Sequence, residues 1–105
     1  MMQVIELYDY PEYSVQVVLD GVLYFLLMHW NSEAQFWTMG IEDYNRQTII
    51  ASIKVLPNYP LLERYRRNEL PAGELVVISN SGTISLTDFA DGYAQMVYVS
   101  QGELQ

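Results

Sequence analysis

The sequence predicts an all-β protein, mainly antiparallel, folded as a small barrel or sandwich of about seven strands with one short helix near residues 60–67. Three observations carry this expectation. Asp20-Gly21 stands between two apolar runs and is the strongest hairpin signal in the chain, because both central residues of a type I′ turn need positive φ. The run Val22 to Trp30 is apolar throughout and is bounded by turn residues on both sides. Four strand-like runs follow one another with only short connections, which favours an antiparallel meander.

Residues 3–8 alternate, with Val4 and Tyr8 on one side and Ile5 and Leu7 on the other, and they end at the turn Asp9-Tyr10-Pro11. Residues 13–19 place Tyr13, Val15, Val17 and Leu19 on one face, and the Asp-Gly turn pairs them with residues 22–30. Because 22–30 is apolar on both faces, the sequence predicts that both sides of this strand are covered. Residues 35–41 form a further strand around Phe36, Trp37, Met39 and Ile41, closed by Glu42-Asp43-Tyr44-Asn45. In 47–56, simple alternation puts Ile49, Ala51, Ile53 and Val55 on one face. After the short helix come a strand at 75–78, the turn Asn80-Ser81-Gly82, a brief strand at 83–86, a loop at 87–92 and a last strand at 93–100.

The 105 residues predict a single domain, 1–105, that buries roughly two thirds of its unfolded surface. Nine Tyr, two Trp and three Phe are more aromatic surface than so small a core conveniently hides. Tyr, Trp, Met and Arg are enriched at protein interfaces, so the excess points to burial by other subunits. A formal net charge of −8, with only five basic residues, disfavours specific nucleic-acid binding, since phosphate affinity depends on Lys and Arg displacing counterions. The absence of cysteine excludes disulfides and Cys-based zinc sites. Residues 1–10 lack a basic n-region and no apolar run reaches the ~18 residues of a membrane span, so a soluble, untargeted chain without a membrane partner is expected.

Residues 56–71 hold Arg64, Arg66 and Arg67, three of the five basic residues, and form the candidate docking element. Pro60 suits a first helical position, Glu63 the positive end of the helix dipole, and Arg66 with Arg67 the negative end. Leu61, Leu62 and Tyr65 share one face and Arg64 with Arg67 another, so one face packs inward while the other meets a partner. The partner-binding residues expected from this pattern are Tyr59, Leu62, Arg64, Tyr65, Arg66 and Arg67. The same residues read equally as a connector whose arginines only solvate the surface.

Enzyme signatures are weak. His29 is the one histidine, so no multi-His site exists within a chain. Glu42 and Asp43 are adjacent and would face opposite sides of a strand; turn chemistry accounts for them. Asp88 and Asp91 resemble a fragment of a cation loop without its terminal Glu, and the scattered glycines build no phosphate cradle. No catalytic residue, cofactor or metal is expected. A small-ligand binding barrel, with Trp30, Trp37 and Tyr98 lining a cavity, is the alternative reading. A hydrolase using paired carboxylates would need two acids facing one cleft, which the spacing does not provide.

Four stretches together resemble a known family: Tyr24 to Asn31, Trp37 to Asp43, Leu56 to Pro71 with Gly73-Glu74-Leu75, and Asp91-Gly92-Tyr93 with Val97-Tyr98-Val99. They resemble the small baseplate plug proteins of contractile-tailed phages, the type described from a cyanophage with a minimal baseplate. That resemblance implies a non-enzymatic virion component at the distal end of the tail tube, near the spike, closing the channel until infection. It also implies assembly in the bacterial host cytoplasm, partners among the tail-tube, hub and spike proteins, and a three-fold or six-fold arrangement of the chain with itself.

Overall fold

The computed structural model describes residues 2–100. Apolar side chains spaced two apart are realised as β1 (Met2–Ile5), β2 (Glu12–Leu19), β3 (Val22–Asn31), β4 (Phe36–Glu42), β5 (Thr48–Lys54), β6 (Glu74–Ser79) and β7 (Ala94–Val99). One four-residue helix, α1 (Asp88–Asp91), precedes β7. The strands form two separate antiparallel sheets, ordered β2-β3-β4-β5 and β1-β7-β6, so the architecture is a sandwich rather than a closed barrel.

Asp20 and Gly21 have φ of 51° and 81°, and the hairpin they make pairs Leu19 with Val22. From that register, Tyr24, Leu26, Met28 and Trp30 of β3 point inward. They meet Trp37, Met39 and Ile41 of β4, and Ile5, Leu75, Val77, Met96 and Tyr98 of the other sheet, in a single core cluster. Each such side chain taken out of water contributes about 1.5–3 kcal/mol. Among the described residues no buried side-chain nitrogen or oxygen lacks a hydrogen-bond partner.

The second face of β3 is only half covered. Leu23, Phe25 and Leu27 are partly exposed there, and the chain supplies cations as cover: the Arg46 guanidinium lies 4.1 Å from the Phe25 ring centroid. In β5 the register shifts twice against β4, between Met39 and Ile41 and again between Ile41 and Glu42. These bulges replace the simple alternation: Ile50 and Ile53 point into the core, while Ala51 is exposed and Ile49 half-buried. Gly40 sits opposite the first bulge, where a Cβ would lie 2.9 Å from the Ala51 carbonyl oxygen.

Residues 83–86 do not form the expected strand. Side chains capture their backbone: the Ser79 hydroxyl donates to the Thr83 carbonyl at 2.6 Å, and the Asp88 carboxylate accepts from the Ser85 N–H at 2.9 Å. The helix expected near 60–67 is realised as one 3-10 turn, Glu63–Tyr65, with Leu62 rather than Pro60 at its start. Residues just before it already pair with β6, which leaves too few to begin a longer helix.

Candidate functional site

Leaving β5, the chain crosses from one sheet to the other and runs along the outer edge of β6. Pro57 bridges to Val77 in parallel, the Asn58 N–H donates to the Val77 carbonyl at 2.7 Å, and the Leu61 N–H donates to the Leu75 carbonyl at 2.9 Å. Asn58 adopts φ 57°, tolerable for asparagine, and its side-chain amide exchanges hydrogen bonds with the Ser79 backbone at 2.9 and 3.1 Å. This segment therefore closes one side of the sandwich and protects the β6 edge.

Beyond it a braced turn forms. The Leu62 N–H donates to the Glu74 carboxylate at 2.6 Å, and the Leu75 N–H donates to the same oxygen at 3.1 Å. Arg66 donates from one Nη to the Pro71 carbonyl at 2.7 Å and from the other to the Gly73 carbonyl at 2.8 Å, with the second Nη 4.0 Å from Glu74. Arg67 donates to the Ile49 carbonyl on β5 at 3.1 Å. The buried carboxylate thus satisfies two N–H groups and faces a guanidinium, which removes the cost of leaving it alone in the interior.

The six residues singled out in this segment take different places. Tyr59 and Arg64 are exposed, Tyr65 is half-buried, and Arg64 has no polar partner among the described residues. Arg67 is exposed but tethered to β5. Arg66 is exposed too, but tied to the Pro71 and Gly73 carbonyls, as just described. Leu62 is fully buried in the core, so its side chain faces no partner; the tight turn swings it inward beside Leu61.

Tyr59, Arg64 and Tyr65 surround a hollow of about 130 Å³ with Lys54, Leu56, Ile53 and Leu61. It is smaller than a typical ligand pocket. Ile53 and Lys54 lie outside the candidate segment 56–71, and only the crossover beside β5 brings them to this hollow.

The other candidates are structural. Trp30 and Trp37 stack edge-on at 5.5 Å and, with Tyr98, are buried in the core cluster, so they line no cavity and the ligand-barrel reading falls. Asp43 accepts the Asn45 and Gln47 N–H groups at 2.9 and 3.0 Å, and Glu42 pairs with Arg46 at 2.7 Å. His29 lies on the outer face of its sheet, 3.4 Å from Glu12, with both side chains exposed. Among the described residues no cluster of three or more potential metal ligands occurs, and no helix is long and apolar enough to cross a membrane.

Tyr98 ties three elements together through its hydroxyl. Its hydroxyl donates to the Asp20 carboxylate at 2.7 Å and accepts the Gly73 N–H at 2.7 Å, joining the β2–β3 turn, β7 and the end of the braced segment. Burial, reinforced by the Asp20 carboxylate, pushes its pKa up to about 12.

A family model described as "Cyanophage baseplate Pam3 plug gp18" matches residues 2–101. The curated proteins compared with the chain give no match.

Proposed function

The chain belongs to the cyanophage baseplate plug family, and from that premise we propose that it closes the distal end of the tail tube near the spike, as a non-enzymatic assembly part. A place in the tail baseplate of the virion, with other baseplate components as neighbours, goes with that family. The observation that carries the proposal is the braced segment itself. Arg66, Arg67 and Glu74 fix its backbone from within, while Tyr59 and Arg64 are left exposed and Arg64 without a polar partner among the described residues. Tyr and Arg side chains are typical anchors of protein interfaces, and on a braced backbone little backbone entropy is lost when they dock.

A filled interior supports the non-enzymatic reading, and an acidic surface suits an obstruction beside a DNA conduit. With a net charge of −8 the chain repels phosphate, so it leaves the channel without holding the genome. Tube, hub and spike proteins are the expected neighbours, with assembly in the host cytoplasm and three or six copies following tail symmetry.

Replacing Arg64 with Glu tests the docking role, since Arg67 also holds the segment to Ile49. The isolated variant is expected to keep the wild-type circular dichroism spectrum, while the amount of chain in purified tails falls about tenfold or more. Normal incorporation would remove the docking role. Imaging of a tagged chain in intact particles tests the location, and density anywhere but the distal tube end would refute the plug assignment.

A further inference from the structure

The hollow beside the braced segment differs from the chain as a whole in the sign of its charge. Thirteen acids face five basic residues in the sequence, yet Lys54 and Arg64 both line this hollow and no acid does. Glu63 is exposed on the same turn but lies outside the lining. Among the described residues neither cation is neutralised by an ion pair. Arg64 has no polar partner, and the exposed Lys54 ammonium stands 4.6 Å from the centroid of the Phe36 ring, a contact that leaves its charge in place.

The walls are chiefly apolar. Leu56 and Tyr59 are 40% and 38% exposed, while Ile53 and Leu61 behind them belong to the buried core. β5 supplies Ile53 and Lys54, and the braced segment, fastened through the Arg67–Ile49 and Leu61–Leu75 hydrogen bonds, supplies the opposite wall. An apolar cavity of about 150 Å³ accepts a benzene ring, so the roughly 130 Å³ here is room for one ring or one branched aliphatic group.

We infer that this hollow receives one apolar side chain of a neighbouring baseplate protein, from a segment that carries an Asp or Glu beside that side chain. The apolar group replaces water against Ile53, Leu56 and Leu61, and the carboxylate meets Lys54 and Arg64. Charge decides the class of partner: a basic segment would bring like charges together, and a neutral one would leave two cations unanswered at the edge of a drying contact. Charge also disfavours a second copy, since chains of net charge −8 repel one another. The inference rests on the docking reading of Tyr59 and Arg64 and adds the chemistry of what they dock.

Lys54 is the only lysine in the chain, which makes the contact directly readable. A water-soluble carbodiimide joins an amine to a carboxylate as an amide, itself taking up the water that is lost, and adds no spacer. On purified tails it therefore links Lys54 only to an acid already in contact. The expected product, read by peptide mass spectrometry, joins Lys54 to an Asp or Glu of another baseplate protein with a large apolar residue within two positions of it. Lys54→Arg keeps the charge but has no amine that couples, so the link is lost while incorporation into tails stays at the wild-type level. Lys54→Gln with Arg64→Gln lowers incorporation about tenfold, and so does Leu56→Trp, which fills the hollow and leaves both charges alone. Gln16→Glu with Gln95→Glu makes the same change in net charge at exposed positions away from the hollow and leaves incorporation unchanged.

A link from Lys54 to a second copy, to an acid with no apolar neighbour, or to nothing overturns the inference. Full incorporation of Leu56→Trp, or an equal loss with Gln16→Glu and Gln95→Glu, overturns it as well. If Arg64→Glu fails to enter tails while Lys54 couples to no carboxylate, the docking role stands and the acidic partner is wrong.

Discussion

At the scale of single residues, the junction at Tyr98 concentrates the tightest constraints. Gly73 is buried against it: a Cβ there would lie 2.1 Å from the Val99 carbonyl oxygen and 2.7 Å from the Tyr98 ring, and neither backbone nor core aromatic can yield that far. Gly73→Ala is accordingly expected to lower the unfolding free energy by about 3 kcal/mol or more, read from urea denaturation. Tyr98 makes a second prediction. Its pKa is raised by burial and the Asp20 carboxylate from the unfolded value of 10.0 to about 12, so the folded state binds that proton more tightly. Its stabilising effect is complete below pH 10 and is lost as pH rises from 10 to about 12, by about 3 kcal/mol in all. Tyr13 and Tyr24 are also raised, chiefly by burial, and act in the same direction. Equilibrium unfolding across this range should therefore show a steep alkaline decline, shallower in Tyr98→Phe.

At the scale of elements, the arginines of residues 56–71 drew attention in the sequence, but spacing could not tell which of them is tied into the fold. That depended on where Glu74 and the Pro71 and Gly73 carbonyls arrive, and these come from the start of β6. Removing Arg66 leaves the Pro71 and Gly73 carbonyls without their donor and takes away the guanidinium that faces Glu74, so Arg66→Ala should cost about 1–3 kcal/mol in thermal or urea unfolding. Arg64→Ala, which breaks no internal polar contact among the described residues, should stay within about 0.5 kcal/mol of wild type. Equal losses for the two would show that the bracing was misassigned. The strands were more legible than this segment because each has its own alternation, whereas β5 misled through its bulges, which no local pattern announces.

At the scale of the molecule, both sheets contribute to one core cluster, with Trp37 at 0% exposure near its centre, touching Tyr13, Trp30 and Phe89. Neither sheet has a second apolar layer of its own to fall back on. Unfolding should be a single calorimetric transition, and Trp37→Ala should destabilise by about 3–5 kcal/mol. Two separated transitions would mean that the sheets hold their structure independently. The aromatic excess seen in the sequence resolves unevenly: both Trp are buried, while Tyr8, Tyr10, Tyr44, Tyr59 and Tyr93 stay exposed. Tyrosine tolerates this because its ring can serve a contact and its hydroxyl can meet water.

The seven strands, their antiparallel order and the Asp20-Gly21 hairpin were legible in the sequence, since period-two alternation and positive-φ turns are local physics, while the strand read at 83–86 gave way to side-chain contacts. The sequence also carried the resemblance to the baseplate plug proteins, and it located the arginine-bearing segment. It took the tertiary contacts to split the strands into two sheets, to turn Leu62 into the core while Tyr59 and Arg64 remain outside, and to tie Arg66 to the Pro71 and Gly73 carbonyls. Those outcomes depend on contacts between residues far apart in the chain, and side-chain alternation within one strand holds no information about which distant edge or carboxylate it will meet.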